Sequence, residues 1–241
     1  QNDGLWCSFE DWGMGNAAEF IGKQLEVTRE EMDEFAFRSH QLAHKATEAG
    51  KFKAEIVPVT IKTRKGDISI TQDEPIRADT TLEALAKLSP SFEANGQVTA
   101  GNAPGLNDGA SAIVVSSRNY AETNGHEPLA RIVGYGNAAL DPKWIFYAPV
   151  KAVPVALEKA GWTVDEVDLF EFNEAFASQV LADVRGLERE GYPIPLEKIN
   201  VHGGAIALGH PLGADRGLSK GMAALCLGGG EAVAMAVEIE N

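Results

Sequence analysis

From Val98 onward the chain changes texture, with short apolar runs alternating with helical stretches and glycine turns between them. Such a succession can bury its apolar sides only by stacking a sheet against helices, so it confines the chain to a layered α/β domain with a mixed sheet. Residues 110–116 read as a short apolar strand and residues 130–138 as a longer extended one. Residues 153–160 form a helix ended by Gly161. Thr163 to Glu166 has the pattern of a capping box. Residues 167–172 then make a strand whose end delivers Asn173, and a helix is expected from Glu174 to about Arg189. Residues 199–201 form a short strand before a glycine turn. Residues 221–226 and 232–238 flank three glycines and read as two buried antiparallel strands.

Residues 1–97 have a different character, helical and loop-rich. Thr28 and Glu31 make another capping box, followed by apolar positions at helical spacing up to Gly50. Residues 52–61 look extended, and a turn at Lys65–Asp67 folds a hairpin onto residues 68–71. The division therefore falls at residues 1–97 and 98–241, within a chain of 241 residues that can bury a core without staples.

Charge narrows the function. The 21 Lys and Arg against 35 Asp and Glu leave a net charge of −14. Such a surface repels phosphate backbones and anionic lipid, which argues against nucleic-acid and membrane-surface roles. No run approaches the ~18 continuous apolar residues of a membrane span. Cys7 and Cys226 are the only cysteines, too few for a disulfide framework or a paired-cysteine metal site, so a cytoplasmic setting and no metal are expected. The first residue is Gln and no signal-peptide pattern follows it, so a fragment, a processed form or part of a longer polypeptide is expected.

Four segments could carry chemistry. VTAGNAPGLNDG (98–109) reads on composition as an ordinary turn-rich connection, while its glycines would also let backbone approach a ligand. FNEAF (172–176) puts Asn173 where a strand meets a helix. Helix capping is the commoner use of Asn there, and a ligand-facing amide is the alternative. VHGGAIALGHPLG (201–213) frames His210 between Gly209 and Pro211, a setting for directed hydrogen bonding, whereas His202 beside a strand can simply be packed. LCLGGG (225–230) follows Cys226 with glycines. Two readings of the thiol stand side by side: a small buried hydrophobe, or an acid/base beside N–H groups that hold an oxyanion.

In this order, AGNAPGLNDGA, NEAF, GGAIALGHPLGA and CLGGG resemble the C-terminal half of the thiolases, the acetyl-CoA acetyltransferase family. DGLWCSFEDWGMGNAAEF and REEMDEFAFRSHQLA resemble that family's CoA-binding loop domain, and RKGD, DEPIR and TLEALAKLSPSF continue the likeness. The resemblance implies a layered α/β fold with mixed five-stranded sheets. This chain would supply the C-terminal half and an inserted loop domain.

It also implies Claisen condensation of two acetyl-CoA to acetoacetyl-CoA, or the reverse thiolysis of a 3-ketoacyl-CoA. No cofactor is implied beyond the coenzyme A thioester substrate. By motif match, Cys226 would be the acid/base thiol and His210 a ring donor to the thioester oxygen. Asn173 would hold a water that supplies a second donor, and Gly228 an oxyanion-hole N–H. Glu174 and Phe176 would support the Asn173 loop. Met14, Arg77, Ala100, Gly101 and Phe176 fall at CoA-binding positions. The expected partners are acyl-CoA and CoA, the missing N-terminal half of the polypeptide, and further copies in a homodimer or homotetramer.

Departures from the family pattern matter as well. The nucleophilic cysteine of the family belongs to an N-terminal segment absent here, and Cys7 does not replace it. About a helix of sequence is missing between His210 and Cys226, with a break expected near residues 214–216. Gly13, Pro104, His202 and the run Trp144–Tyr147 alter the pocket and leave the acyl chain length open. Two other readings remain: a non-catalytic acyl-CoA-binding or scaffold subunit, and a condensing enzyme of the ketoacyl-synthase kind, against which the combination of NEAF, GHP and Cys226 weighs.

Overall fold

A computed structural model describes residues 4–210 and 220–240. Two short strands, β1 (Trp6–Cys7) and β2 (Trp12–Gly13), pair antiparallel and lead into α1 (Met14–Gln24) and α2 (Arg29–Glu48). The Thr28 capping box forms as expected: Thr28 Oγ1 accepts from Glu31 N at 3.3 Å, and Glu31 Oε2 accepts from Thr28 N at 2.8 Å. Gly50 follows the helix at a φ of +70°. The hairpin β3 (Val59–Thr63) and β4 (Gly66–Ile70) also forms. The extended run expected from residue 52 does not. Residues 51–55 turn instead, with Ile56 N donating to Phe52 O at 3.1 Å, because Phe52 folds inward and packs its ring against His202.

Short helices α3 (Leu82–Ala86) and α4 (Arg118–Thr123) lie on either side of the glycine-rich loop. The strand expected at residues 110–116 is absent. Ile113, Val114 and Val115 are 74, 96 and 71% exposed, and an extended segment with no ladder partner gains nothing over water for its backbone groups.

The remaining elements build one mixed sheet. β5 (Ala130–Ala139) is followed by α5 (Ala148–Ala160), β6 (Leu169–Phe172), α6 (Ala177–Arg189), α7 (Ala205–Leu208), β7 (Lys220–Leu227) and β8 (Glu231–Ile239). The strand order is β5-β8-β7-β6, with β5/β8 and β8/β7 antiparallel and β7/β6 parallel. Ala232, Ala234 and Ala236 of β8 and Met222 and Ala224 of β7 are buried, and α5 packs across β5 and β8. The approach is close: a Cβ on Gly136 would stand 2.2 Å from Ala152 O.

A short strand is expected at residues 199–201. Among the described residues that place holds a single parallel bridge, Phe170 to Ile199. Asn200, at a φ of +47°, completes the edge with its side chain, accepting from Phe172 N at 2.9 Å and donating to Phe172 O at 2.8 Å. A side-chain amide thus does the work of a ladder peptide.

The two sequence regions meet along α1 and α2. Glu19 of α1, fully buried, accepts from Gln97 N and Val98 N, both at 2.8 Å, so the 97/98 boundary is bonded to the helix beside it. Ser178 Oγ of α6 donates to Ala18 O at 3.0 Å, and Arg185 pairs with Glu31. The break expected near residues 214–216 lies outside the described residues. Among those described, no helix is long and apolar enough to cross a membrane.

Candidate active site

The site forms where β6 and β7 end together. Phe172 pairs with Ala224, and Asn173 N then donates to Ala224 O at 3.0 Å, which prolongs the ladder by one residue. The residue belongs to the strand end and does not cap the helix. α6 begins at Ala177 with Phe176 at its N-cap position, later than the expected Glu174, because residues 173–175 turn first. The Asn173 side chain faces His210, with Nδ2 3.4 Å from Nε2. Cys226 lies two residues beyond Ala224 on β7, at the same sheet end as Asn173, and opposite Ala232.

His210 is held from both sides. Leu106 of the glycine-rich loop makes a parallel bridge to His210, and a Cβ on Gly209 would stand 2.8 Å from the Asn107 side chain. The loop is therefore more than a connection: it fixes the imidazole backbone. Its own anchor is Asn102, fully buried, which accepts from Thr99 N at 2.8 Å and donates to Asp33 Oδ1 at 2.9 Å. Asn102 O also accepts from Ala177 N at 3.0 Å, which ties the loop to the start of α6.

Beneath Asn173 stands Glu174, a buried carboxylate that sequence reading ranks only as support. It receives Ser39 Oγ at 2.7 Å, Asn200 Nδ2 at 2.8 Å and Ile206 N at 3.0 Å. Ser39 Oγ accepts in turn from Gly204 N at 3.0 Å. One carboxylate thus joins α2, the Asn173 turn, Asn200 and the segment leading to His210. Burial raises the Glu174 pKa, and the donors from Asn200, Ser39 and Ile206 work against that rise. Ser39 and Asn200 gave no motif signal, since their role rests on contacts between distant parts of the chain.

The electrostatics leave the site uncharged at rest. Burial lowers the His210 pKa, so the imidazole is neutral near pH 7. Burial pushes the Cys226 thiol up to about 12. A protonated thiol, a neutral imidazole and an amide can donate and accept hydrogen bonds and move one proton. Because the Asn173 amide can present either end, His210 Nε2 can accept from Nδ2 or donate to Oδ1. In both cases the ring and the amide share one region of space.

The other expected residues are distributed around this centre. Gly228 is exposed in the β7–β8 turn, and nothing lies within 4 Å of a Cβ built there. Gly229 and Gly230 have φ of +84° and +91°. Met14 opens α1, half-buried against the core, and its N–H donates to Leu5 O at 2.9 Å. Arg77 is exposed, and its N–H donates to His40 Nδ1 at 3.1 Å on α2, next to Ser39. Ala100 is exposed at the loop surface. Gly101 serves packing: a Cβ there would stand 2.5 Å from Leu88 and 2.6 Å from Leu85. Phe176 sits between Phe92 and Phe146, with ring centroids 6.1 and 5.5 Å away. Phe146 of the Trp144–Tyr147 run is buried there, while Trp144 turns toward Phe20. Cys7 is buried in β1. Among the described residues, no group of three or more His, Cys, Asp or Glu side chains could hold a metal ion.

Comparison with known proteins agrees with this arrangement. The sequence model of the thiolase N-terminal domain matches residues 1–119, and that of the thiolase C-terminal domain matches residues 126–217. An acetyl-CoA acetyltransferase of Rhizobium meliloti (strain 1021) is 47% identical over 250 residues, covering 98% of this chain and 62% of the relative. One of Paracoccus denitrificans is 46% identical over 250 residues, covering 98% and 63%. These alignments are longer than the 241-residue chain, so at least nine aligned positions have no counterpart in it.

Among solved structures, the Bacillus anthracis acetyl-CoA acetyltransferase superposes with a TM-score of 0.92 at 45% identity, covering 98% of this chain and 62% of the other. The human mitochondrial 3-ketoacyl-CoA thiolase gives 0.91 at 39% identity, with the same coverages. The chain thus spans about three-fifths of the length of the relatives it matches. With both domain models matched in order and the motif residues gathered at one sheet end, the chain belongs to the thiolase family.

Proposed function

We propose that the polypeptide containing this chain is an acyl-CoA C-acyltransferase, joining two acetyl-CoA into acetoacetyl-CoA or cleaving a 3-ketoacyl-CoA with CoA. The observation that carries this reading is the meeting of Asn173 and His210, 3.4 Å apart, at the strand end that also bears Cys226. A carbanion beside a thioester carbonyl needs donors at the oxygen and a proton acceptor at the carbon. His210 and a water on Asn173 supply the donors. Cys226 moves the proton, and the Gly228 N–H serves the second oxyanion hole. The acylating cysteine belongs to the N-terminal segment of the family, which joins this chain as its partner. Met14, Arg77, Ala100, Gly101 and Phe176 line the path of CoA. A cytoplasmic homodimer or homotetramer, with no metal and no cofactor besides the thioester, completes the reading.

The resting state of the thiol defines its first task. At a pKa of about 12 Cys226 keeps its proton near pH 7, which suits protonation of the carbanion in thiolysis. Nothing in the site favours the binding-only alternative, since a scaffold has no use for a thiol and an imidazole at one strand end.

The test uses the complete polypeptide. Incubation with labelled acetyl-CoA reads acylation, and acetoacetyl-CoA formation or thiolysis reads the carbon–carbon step. Cys226→Ser is expected to keep covalent acetylation and to slow the carbon–carbon step by at least roughly a hundredfold, the scale of a lost general acid/base. An undiminished condensation rate in that variant removes Cys226 from the mechanism.

A further inference from the structure

Asp183 has no part in the chemistry described so far. It lies two turns into α6, fully buried, and its Oδ1 has no hydrogen-bond partner among the described residues. Its Oδ2 accepts from Gln179 Nε2, one helical turn earlier. Gln179, also fully buried, uses its Oε1 to accept from Ala175 N at 3.1 Å, and Ala175 N also bonds Asn173 O at 3.0 Å. A continuous polar line thus runs from Asp183 through Gln179 to the turn that presents Asn173. On β7, Cys226 alternates with Leu225 and so shares its face with the buried Met222 and Ala224. That is the face covered by the helix layer of α5, which packs on α6.

We propose that Asp183 is a positioning residue of this site, fixing the Asn173–Ala175 turn through Gln179. A carboxyl group with one orphaned oxygen is an expensive choice for a buried helix position, where an apolar residue would serve packing alone. Its placement makes sense if the group is neutral at rest. Burial raises its pKa well above that of an ordinary aspartate, and the Gln179 bond only partly offsets this.

The charged groups on neighbouring elements are engaged elsewhere. Glu19 of α1 binds Gln97 and Val98, and Lys23 binds Glu93. Glu31 of α2 pairs with Arg185, and Tyr147 and Lys151 at the start of α5 meet Glu190. Glu231, at the start of β8, is exposed.

The idea deepens the acyltransferase reading and rests on it for its meaning, but its test needs no turnover. Asp183→Asn keeps the shape and an acceptor for Gln179 while removing the charge.

Hydrogen exchange at Ala175 N reads the turn. Protection should survive in Asp183→Asn and fall in Asp183→Ala, so that the conservative variant rescues what the truncation loses. Equal Ala175 protection in wild type and Asp183→Ala overturns the positioning role, and so does equal loss in folded Asp183→Asn. Should the complete polypeptide prove inactive as an acyltransferase, the exchange readout still stands or falls on its own.

Discussion

At the scale of single residues, the molecule keeps its buried ionisable groups uncharged or saturates them with donors, and the difference shows in pH behaviour. His40 of α2 is the clearest case. It is 5% exposed and accepts the Arg77 N–H, a bond available only to the neutral ring. Burial, with the Arg77 charge second, lowers its pKa from 6.5 to about 4. The unfolded chain therefore takes up this proton first as pH falls. Stability from His40 is complete above the unfolded value of 6.5 and is lost as pH drops from there to about 4. The loss amounts to about 3 kcal/mol at its limit. Asp183, with its pKa raised, acts in the opposite sense, since its contribution is complete below the unfolded value and fades as pH rises. Comparing wild type with His40→Gln isolates the histidine. Urea unfolding at about pH 7 and about pH 5 should show a smaller fall in midpoint for the variant. Parallel falls in the two proteins would leave His40 without a share in the acid sensitivity. Because Arg77 N–H belongs to a proposed CoA-binding segment, the same titration should loosen that segment before the core.

At the scale of elements, the joints between helices and strands carry the site, and one glycine sets the tightest of them. Gly203 has a φ of +77°, and a Cβ there would stand 2.5 Å from Ser39 O and 2.7 Å from Ala43 N. Both atoms are α2 backbone, which cannot swing aside as a side chain could. Gly203→Ala is therefore expected to destabilise the fold by about 3 kcal/mol, combining a left-handed conformation with an overpacked contact. The displacement should also part Ser39 from Glu174 and Gly204, so exchange at Ile206 N, which donates to Glu174, should rise more than exchange at the centre of β8. A uniform rise would mean that α2 and α7 are not joined through this contact. Local signals of this kind explain which elements could be read from sequence. The Thr28 box, the Gly161 stop and the strands around the three glycines each lie within a few residues, and each formed; the hairpin formed too, with its turn at residues 64–65 because Gly66 and Asp67 already pair with Thr63 and Lys62. The helix-cap reading of Asn173 failed because residues 173–175 turn first and α6 begins only at Ala177, with Phe176 at its N-cap position. The segment at 110–116 has strand composition but lacks a partner to pair with, a fact that composition cannot contain. Asn173, His210 and Cys226 were legible through the order of their motifs. Ser39 and Asn200 were not, because contacts across more than twenty residues define them, and Asp183 was not, because its burial does.

At the scale of the whole molecule, apolar surface and net charge oppose one another. Ile113, Val114 and Val115 form a β-branched run that is almost wholly exposed, and Leu106 and Leu129, at 72 and 89% exposure, add to it. An uncharged β-branched run with free backbone groups is a template for pairing with another chain. Against this stands a net charge of −14, which keeps copies apart at low ionic strength. Salt weakens only the second effect, since the screening length is about 10 Å at 0.1 M and shorter above that. The isolated 241-residue chain is therefore expected to associate more as salt is raised, the reverse of an assembly held by surface ion pairs. Sedimentation velocity over a dilution series, at low and high salt, measures this directly. Val114→Lys places a charge at the most exposed position of the run, where it touches none of the site residues, and should hold the chain to its low-salt sedimentation coefficient in both conditions. If association fell with salt, or persisted unchanged in Val114→Lys, contacts other than this run would govern it. A shift confined to the wild type would show that the same residues that find no partner within the described fold seek one outside it.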